Sequence, residues 1–294
     1  MDVDAERLHS HVATLARHPR PAQGAALEEA REYVAGRLVS AGWNVERHAF
    51  NAVSPDIRPL RGINLIARRV SFDPHRLPRF IVGAHVDSVP GSPGADDNAS
   101  AVAALLELAR LLPERFPANP RLNLELVAFD LEECGMLGGE EHLHRLQSQN
   151  ADLRGMVSLE MIGYCDERPG SQSLPRTLVG LYPHVGNFIG LIGNQNSVRL
   201  LSEFRTGMQR VPRLPVESLL VPDNGNMLQA TRLSDHSPFW DAGYAALMVT
   251  DTSFLRNPHY HLASDTPETL DMDFLARVTQ GCLEAVLHIL EVGL

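Results

Sequence analysis

Five short segments of this 294-residue chain carry acids and histidines in arrangements suited to binding cations. The run Ile81-Val82-Gly83-Ala84-His85-Val86-Asp87-Ser88 ends an apolar stretch with an imidazole and, two residues on, a carboxylate. Residues i and i+2 of a strand face the same way, so Asp87 is placed to hold one ring nitrogen of His85 while the other binds a metal. A surface His–Asp pair would have the same spacing. Asp97 stands ten residues after Asp87, in Gly94-Ala95-Asp96-Asp97-Asn98-Ala99-Ser100, which runs into a helix candidate. A helix cap needs one acid and not two, whereas a carboxylate with two oxygens can bridge two cations.

The third segment, Phe129-Asp130-Leu131-Glu132-Glu133-Cys134-Gly135, sets adjacent acids between an apolar run and glycines. Like charges there repel unless a cation or a shared proton compensates them. One Glu as ligand and its neighbour as general base satisfies both. Glu160 interrupts the apolar end of Ser158-Leu159-Glu160-Met161-Ile162-Gly163, and Asn257-Pro258-His259-Tyr260-His261-Leu262-Ala263-Ser264-Asp265-Thr266 adds two imidazoles. Each of these last two also has a structural reading, since buried acids find backbone partners and loop histidines are often exposed.

The elements that must carry these groups follow from hydrophobic spacing. Strand-length apolar runs occur at 63–67, 80–86, 122–129, 156–161 and 245–249, and each of the five segments follows a strand candidate or its loop. Helical spacing predicts helices over 25–41, 99–112, 138–149, 197–209 and 272–291, the first closed by Gly42. Strands alternating with helices predict an α/β fold: a mixed, mainly parallel sheet flanked by helices on both faces. Residues 1–294 are expected to form one domain. The Pro-, Gly- and Asn-rich stretch 165–232 is read as an excursion that walls the C-terminal edge of the sheet and sets specificity.

A composition of 44% hydrophobic and 21% charged residues supports a full core. A formal charge of −10 argues against a nucleic-acid partner, which would require clustered Lys and Arg. The N-terminus is acidic where a secretory leader is basic, and no apolar run reaches bilayer length; a cytoplasmic protein without a membrane partner is expected. Cys134, Cys165 and Cys282 are odd in number and far apart, which predicts free thiols.

Taken together and in order, the five segments resemble those of the M28 family of co-catalytic zinc metallopeptidases, from the 25–41 helix and the Arg61–Ala67 segment to Asp271. The resemblance implies the family's phosphorylase/hydrolase-like exopeptidase fold and two zinc ions. It assigns His85 to one zinc, Asp97 to the bridge, Glu132 to the general base, Glu133 and His261 to the other zinc, and Asp87 to support of His85. Tyr260 matches a position that hydrogen-bonds the developing oxyanion. Where many members carry Asp, this chain has Glu160, one methylene longer and expected on the same zinc as His85. The resemblance further implies a cis Asp97–Asn98 bond. It places Asp235 and His236 as pocket-wall or supporting groups, although a loop His paired with its neighbour fits equally, and it leaves His259 a bystander.

Two cations roughly 3.5–4 Å apart can activate a shared water against a carbonyl, and three oxygen donors with two imidazoles suit zinc, with manganese or cobalt as substitutes. An enclosed acidic site favours a free α-ammonium, hence peptides with a free N-terminus and an aminopeptidase. The rival enzyme readings are a single-zinc glutaminyl-peptide cyclotransferase, a carboxypeptidase and an N-acyl deacylase. A binding protein on a decayed peptidase fold is the rival of another class, and it would have lost a ligand or the base.

Overall fold

In the computed structural model, which describes residues 2–73 and 76–294, the expected alternation of strands and helices is realised. In chain order the elements are α1 (Ala5–Leu15), α2 (Ala25–Ser40), β1 (Asn44–Val53), β2 (Pro59–Arg68), β3 (Arg79–His85), α3 (Ala101–Arg115), β4 (Asn123–Phe129), α4 (Leu137–Ser148) and β5 (Leu153–Glu160). There follow β6 (Ile189–Asn194), α5 (Val198–Met208), β7 (Val216–Val221), α6 (Ser237–Asp241), β8 (Ala246–Thr250) and α7 (Met272–Val292).

All eight strands join one sheet in the order β1-β2-β4-β3-β5-β8-β6-β7. The central four, β4, β3, β5 and β8, run parallel, which matches their apolar character: β3 and β4 are buried along their whole length, as strands covered on both faces must be. Antiparallel neighbours extend the sheet, β2 beside β4 and β6 beside β8. Residues of α1, α2, α3, α5 and α7 form the larger core on one face, and α4 and α6 pack on the other through Leu143, Leu146, Phe239 and Trp240. The C-terminal ends of the parallel strands share one edge, where His85 and Glu160 are the last residues of β3 and β5.

Three strands lie outside the expected set. β1 alternates between exposed and half-buried positions, with Phe50 its only fully buried residue, so it offers no apolar run. β6 and β7 lie within 165–232, where only a helix was expected; β6 is short and holds two glycines, and β7 starts with an acid at its second position. Among the described residues no helix is long and apolar enough to cross a membrane, and the three cysteines are free.

Candidate metal centre

The parallel strand ends bring the five segments together. His85, 1% exposed, directs Nε2 to Asp97 Oδ1 at 3.2 Å and Glu160 Oε2 at 3.5 Å. His261, on the loop after β8, directs Nε2 to Asp97 Oδ2 at 3.1 Å and Glu133 Oε2 at 3.3 Å. The Asp97 carboxylate therefore divides its two oxygens between two sets of potential ligands, His85–Asp97–Glu160 and Asp97–Glu133–His261, each with its donor atoms within 4.8 Å of one another. Glu132 belongs to neither set; its Oε2 lies 4.0 Å from His85 Nε2.

Local features explain how each group is aimed. Gly94 has φ +64°, and a Cβ there would run into the Asp97 carbonyl oxygen, so glycine lets the loop fold back on itself before α3. The Asp97–Asn98 peptide bond is cis. The Asn98 side chain donates to the Leu159 carbonyl and accepts from the Met161 N–H, both at 2.9 Å, bracing Glu160 from either side. Ser234 Oγ donates to Glu160 Oε2 at 2.8 Å. Asp87 lies with Oδ1 3.5 Å from His85 Nδ1, whose hydrogen-bonding partner is the Asp87 carbonyl at 3.2 Å. Its carboxylate also accepts the backbone N–H groups of Glu132 and Glu133 at 3.1 and 3.2 Å, tying the adjacent acids to the strand that carries His85.

Of the two adjacent aspartates only Asp97 enters the cluster. Asp96 turns away and accepts from the Gly163 N–H and the Asn257 side-chain amide, at 2.9 and 2.7 Å. Asp265 accepts the backbone N–H groups of Asp96 and Asp97 at 2.9 and 3.2 Å. Arg20, 1% exposed, donates to the carbonyls of Leu15, Val86, Pro93 and Gly94, and its own N–H meets Ser88 Oγ at 2.9 Å. Burial lowers its guanidinium to about 10, against the pull of Asp87 and Asp97, so it stays cationic at neutral pH. It fastens the loop after His85 to the loop before Asp97. Arg20→Met should strand those carbonyls and destabilise the fold by about 3 kcal/mol or more, read as a lower urea midpoint at unchanged slope. A variant as stable as the parent would remove Arg20 from this role.

The electrostatics express crowded, buried charge. Burial raises the carboxyls of Glu132, Glu160 and Glu133, the last to about 7, although the neighbouring imidazoles oppose it. Burial would depress His85, but Glu160 and Glu132 override it and raise the imidazole well above its usual range. Asp97 also meets a desolvation penalty, which the hydrogen bonds from His261 and His85 overcome, leaving it below the usual carboxylate range.

Tyr260 stacks on His261 with ring centroids 3.7 Å apart, and burial raises its hydroxyl above the usual range. His259 joins neither set; its Nδ1 meets Ser264 Oγ at 2.9 Å, and its ring lies edge-on to Tyr164. His236 is fully buried, pairs Nε2 with the Thr231 carbonyl at 2.9 Å, and meets Trp240 edge-on. Asp235 is buried against Gly139, where an added Cβ would lie 2.7 Å from its Oδ1. Of the supporting residues, Arg20 lies outside the five segments, while Asn98 and Asp265 lie within the second and fifth, which were singled out for their neighbours because the partners of Asn98 and Asp265 are distant in the chain. Ser234 lies in a segment singled out for its neighbours Asp235 and His236.

The chain resembles known proteins in sequence and in fold. The chain is 34% identical over 281 residues to the uncharacterized protein YfbL of Escherichia coli strain K12, covering 90% of this chain and 82% of that protein. It is 29% identical over 220 residues to the aminopeptidase YwaD of Bacillus subtilis, covering 70% of this chain but spanning only 40% of that protein. The crystal structure of Porphyromonas gingivalis glutaminyl cyclase shares the fold, with a TM-score of 0.74 at 17% identity over 97% of this chain and 98% of that one. Residues 64–286 match the family described as Peptidase family M28; that range contains both ligand sets, and the chain belongs to this family.

Proposed function

We propose that this M28 exopeptidase is an aminopeptidase that holds two zinc ions and removes the first residue of peptides with a free N-terminus. The observation that carries the reading is the division of Asp97 between two imidazole–carboxylate sets. The donor spacing supports zinc: bond lengths of about 2.0–2.1 Å in a tetrahedron place neighbouring ligand atoms about 3.3 Å apart. The four imidazole-to-carboxylate distances run from 3.1 to 3.5 Å. Glu133 Oε1 is buried and has no hydrogen-bond partner among the described residues, as a carboxylate oxygen facing a cation would be. In this reading His85, Asp97 and Glu160 hold one ion, and Asp97, Glu133 and His261 hold the other. Manganese or cobalt fits the same donors.

When bound, such a pair supplies Lewis-acid polarisation of the scissile carbonyl and a water acidic enough to attack at neutral pH. The protein does the rest. Glu132, near the cluster but in neither set, takes the proton of the attacking water on its carboxylate and delivers it to the departing amine. Asp87 holds the Glu132–Glu133 turn in place through the two backbone N–H groups. Tyr260 donates its hydroxyl hydrogen to the oxyanion that forms from the carbonyl, and its stacking on His261 fixes the ring. The surrounding acids attract the substrate's α-ammonium, which makes the first peptide bond the target.

A panel of aminoacyl anilides with N-acetylated counterparts, run on chelator-stripped protein and again after zinc is restored, tests the reading. Zinc-dependent release from free amino termini alone is the expected result, and equal cleavage of acetylated substrates would overturn the aminopeptidase. Because a glutaminyl cyclase shares the fold, the panel includes a peptide beginning with Gln. Loss of ammonia without shortening would assign cyclisation instead.

A further inference from the structure

Beyond the metal centre the sheet continues as the floor of a pocket. Glu160 pairs with Thr250, Thr250 with Gly190, and Gly190 with Glu217, so one row crosses four strands from the cluster outward. Directly paired residues project to the same face, and all four line the pocket. The row behind it reads Ser158, Met248, Ile192 and Leu219. With strands about 4.8 Å apart, the backbones at the two ends of the front row lie about 14 Å apart.

The middle of that row is open because it is Gly190; a Cβ there would lie 3.2 Å from the Thr250 carbonyl oxygen, and any longer side chain would project into the pocket. The walls are apolar, with Leu174, Leu178, Phe188, Leu228, Leu233 and Phe254 among them. At the far end stands Glu217, half-buried, whose side chain makes no hydrogen bond or ion pair among the described residues. Beside it Tyr182 donates its hydroxyl to the Ser218 carbonyl at 2.9 Å, so that hydroxyl is already committed. Burial, with Glu217 adding to it, raises the Tyr182 hydroxyl above its usual range.

An apolar channel with a free carboxylate at its tip matches a side chain with a methylene stem and a cationic head. We propose that Glu217 is a specificity-determining residue that receives the ammonium or guanidinium of a lysine or arginine at the first position of the substrate. This rests on the aminopeptidase reading, which places the α-carbon of the first residue at the Glu160 end. A purely apolar side chain of the same length would fill the channel but cover Glu217 without pairing it.

The test compares arginyl, lysyl and norleucyl anilides on the parent and on E217Q, alongside calorimetric binding of free L-arginine and L-norleucine. The arginyl-to-norleucyl ratio of kcat/KM is expected to favour arginine in the parent by about tenfold or more, and E217Q to erase most of that preference. A ratio that moves less than twofold on substitution overturns the assignment while leaving the aminopeptidase intact. Silence on every anilide overturns the aminopeptidase instead, and binding then decides the pocket. Tighter arginine binding that E217Q abolishes upholds Glu217; equal or absent binding removes it.

Discussion

Replacing Glu132 with Gln is expected to lower kcat by about 10²–10⁴-fold, the contribution of a positioned general base, while two metal ions per chain are retained. The substitution keeps the shape of the side chain and removes only its capacity to take a proton. It leaves both ligand sets whole, since neither includes Glu132. It also leaves the hydrogen bond from the residue's backbone N–H to Asp87. A fall in kcat with little change in KM would place the loss in the transition state. Steady-state kinetics with elemental analysis of the same sample checks this. Activity within tenfold of the parent would assign the base elsewhere, and loss of an ion would make Glu132 a ligand.

Asp97→Asn should be at least as damaging by a different route. An amide has one oxygen, and its nitrogen offers only donors, so it cannot ligate on both sides as the carboxylate does. One of the two imidazoles that now face Asp97, His85 at 3.2 Å or His261 at 3.1 Å, would meet an NH₂ group. Metal content is expected to fall by at least one ion per chain. Losing one cation's stabilisation of the transition state, several kcal/mol, lowers kcat roughly 10²–10³-fold or more. Zinc titration of the stripped variant, followed by calorimetry, separates this from a folding defect. Full loading at parental affinity would dissolve the bridge.

The residues gathered at the cluster were legible because each belongs to a short segment that announces itself. His85 ends a fully buried strand, Glu160 ends another, and the paired glutamates follow a third. The supporting groups were illegible for the opposite reason. Arg20 reaches Val86 across 66 residues, Asn98 reaches Leu159 across 61, Ser234 reaches Glu160 across 74, and Asp265 reaches Asp96 across 169. Asn98, Ser234 and Asp265 lie in segments that stood out for their neighbours, but the partners each one holds are supplied only by the folded chain. The same logic divides the strands. The buried parallel strands are predominantly apolar, whereas β1 is an edge strand with one fully buried residue, β6 is short and holds two glycines, and β7 carries an acid at its second position. The channel from Glu160 to Glu217 follows from the register of those last strands, and so no sequence pattern revealed it.

The tie between Asp265 and the Asp96–Asp97 backbone also bears on how such a protein is made. One ligand set is encoded by residue 160, but the other waits for His261, and the carboxylate that orients Asp97 comes four residues later still. During synthesis the growing chain therefore holds at most one of the two sets until His261 has been added. A chain interrupted between residues 160 and 261 would carry His85, Asp97 and Glu160 but could not assemble the second set.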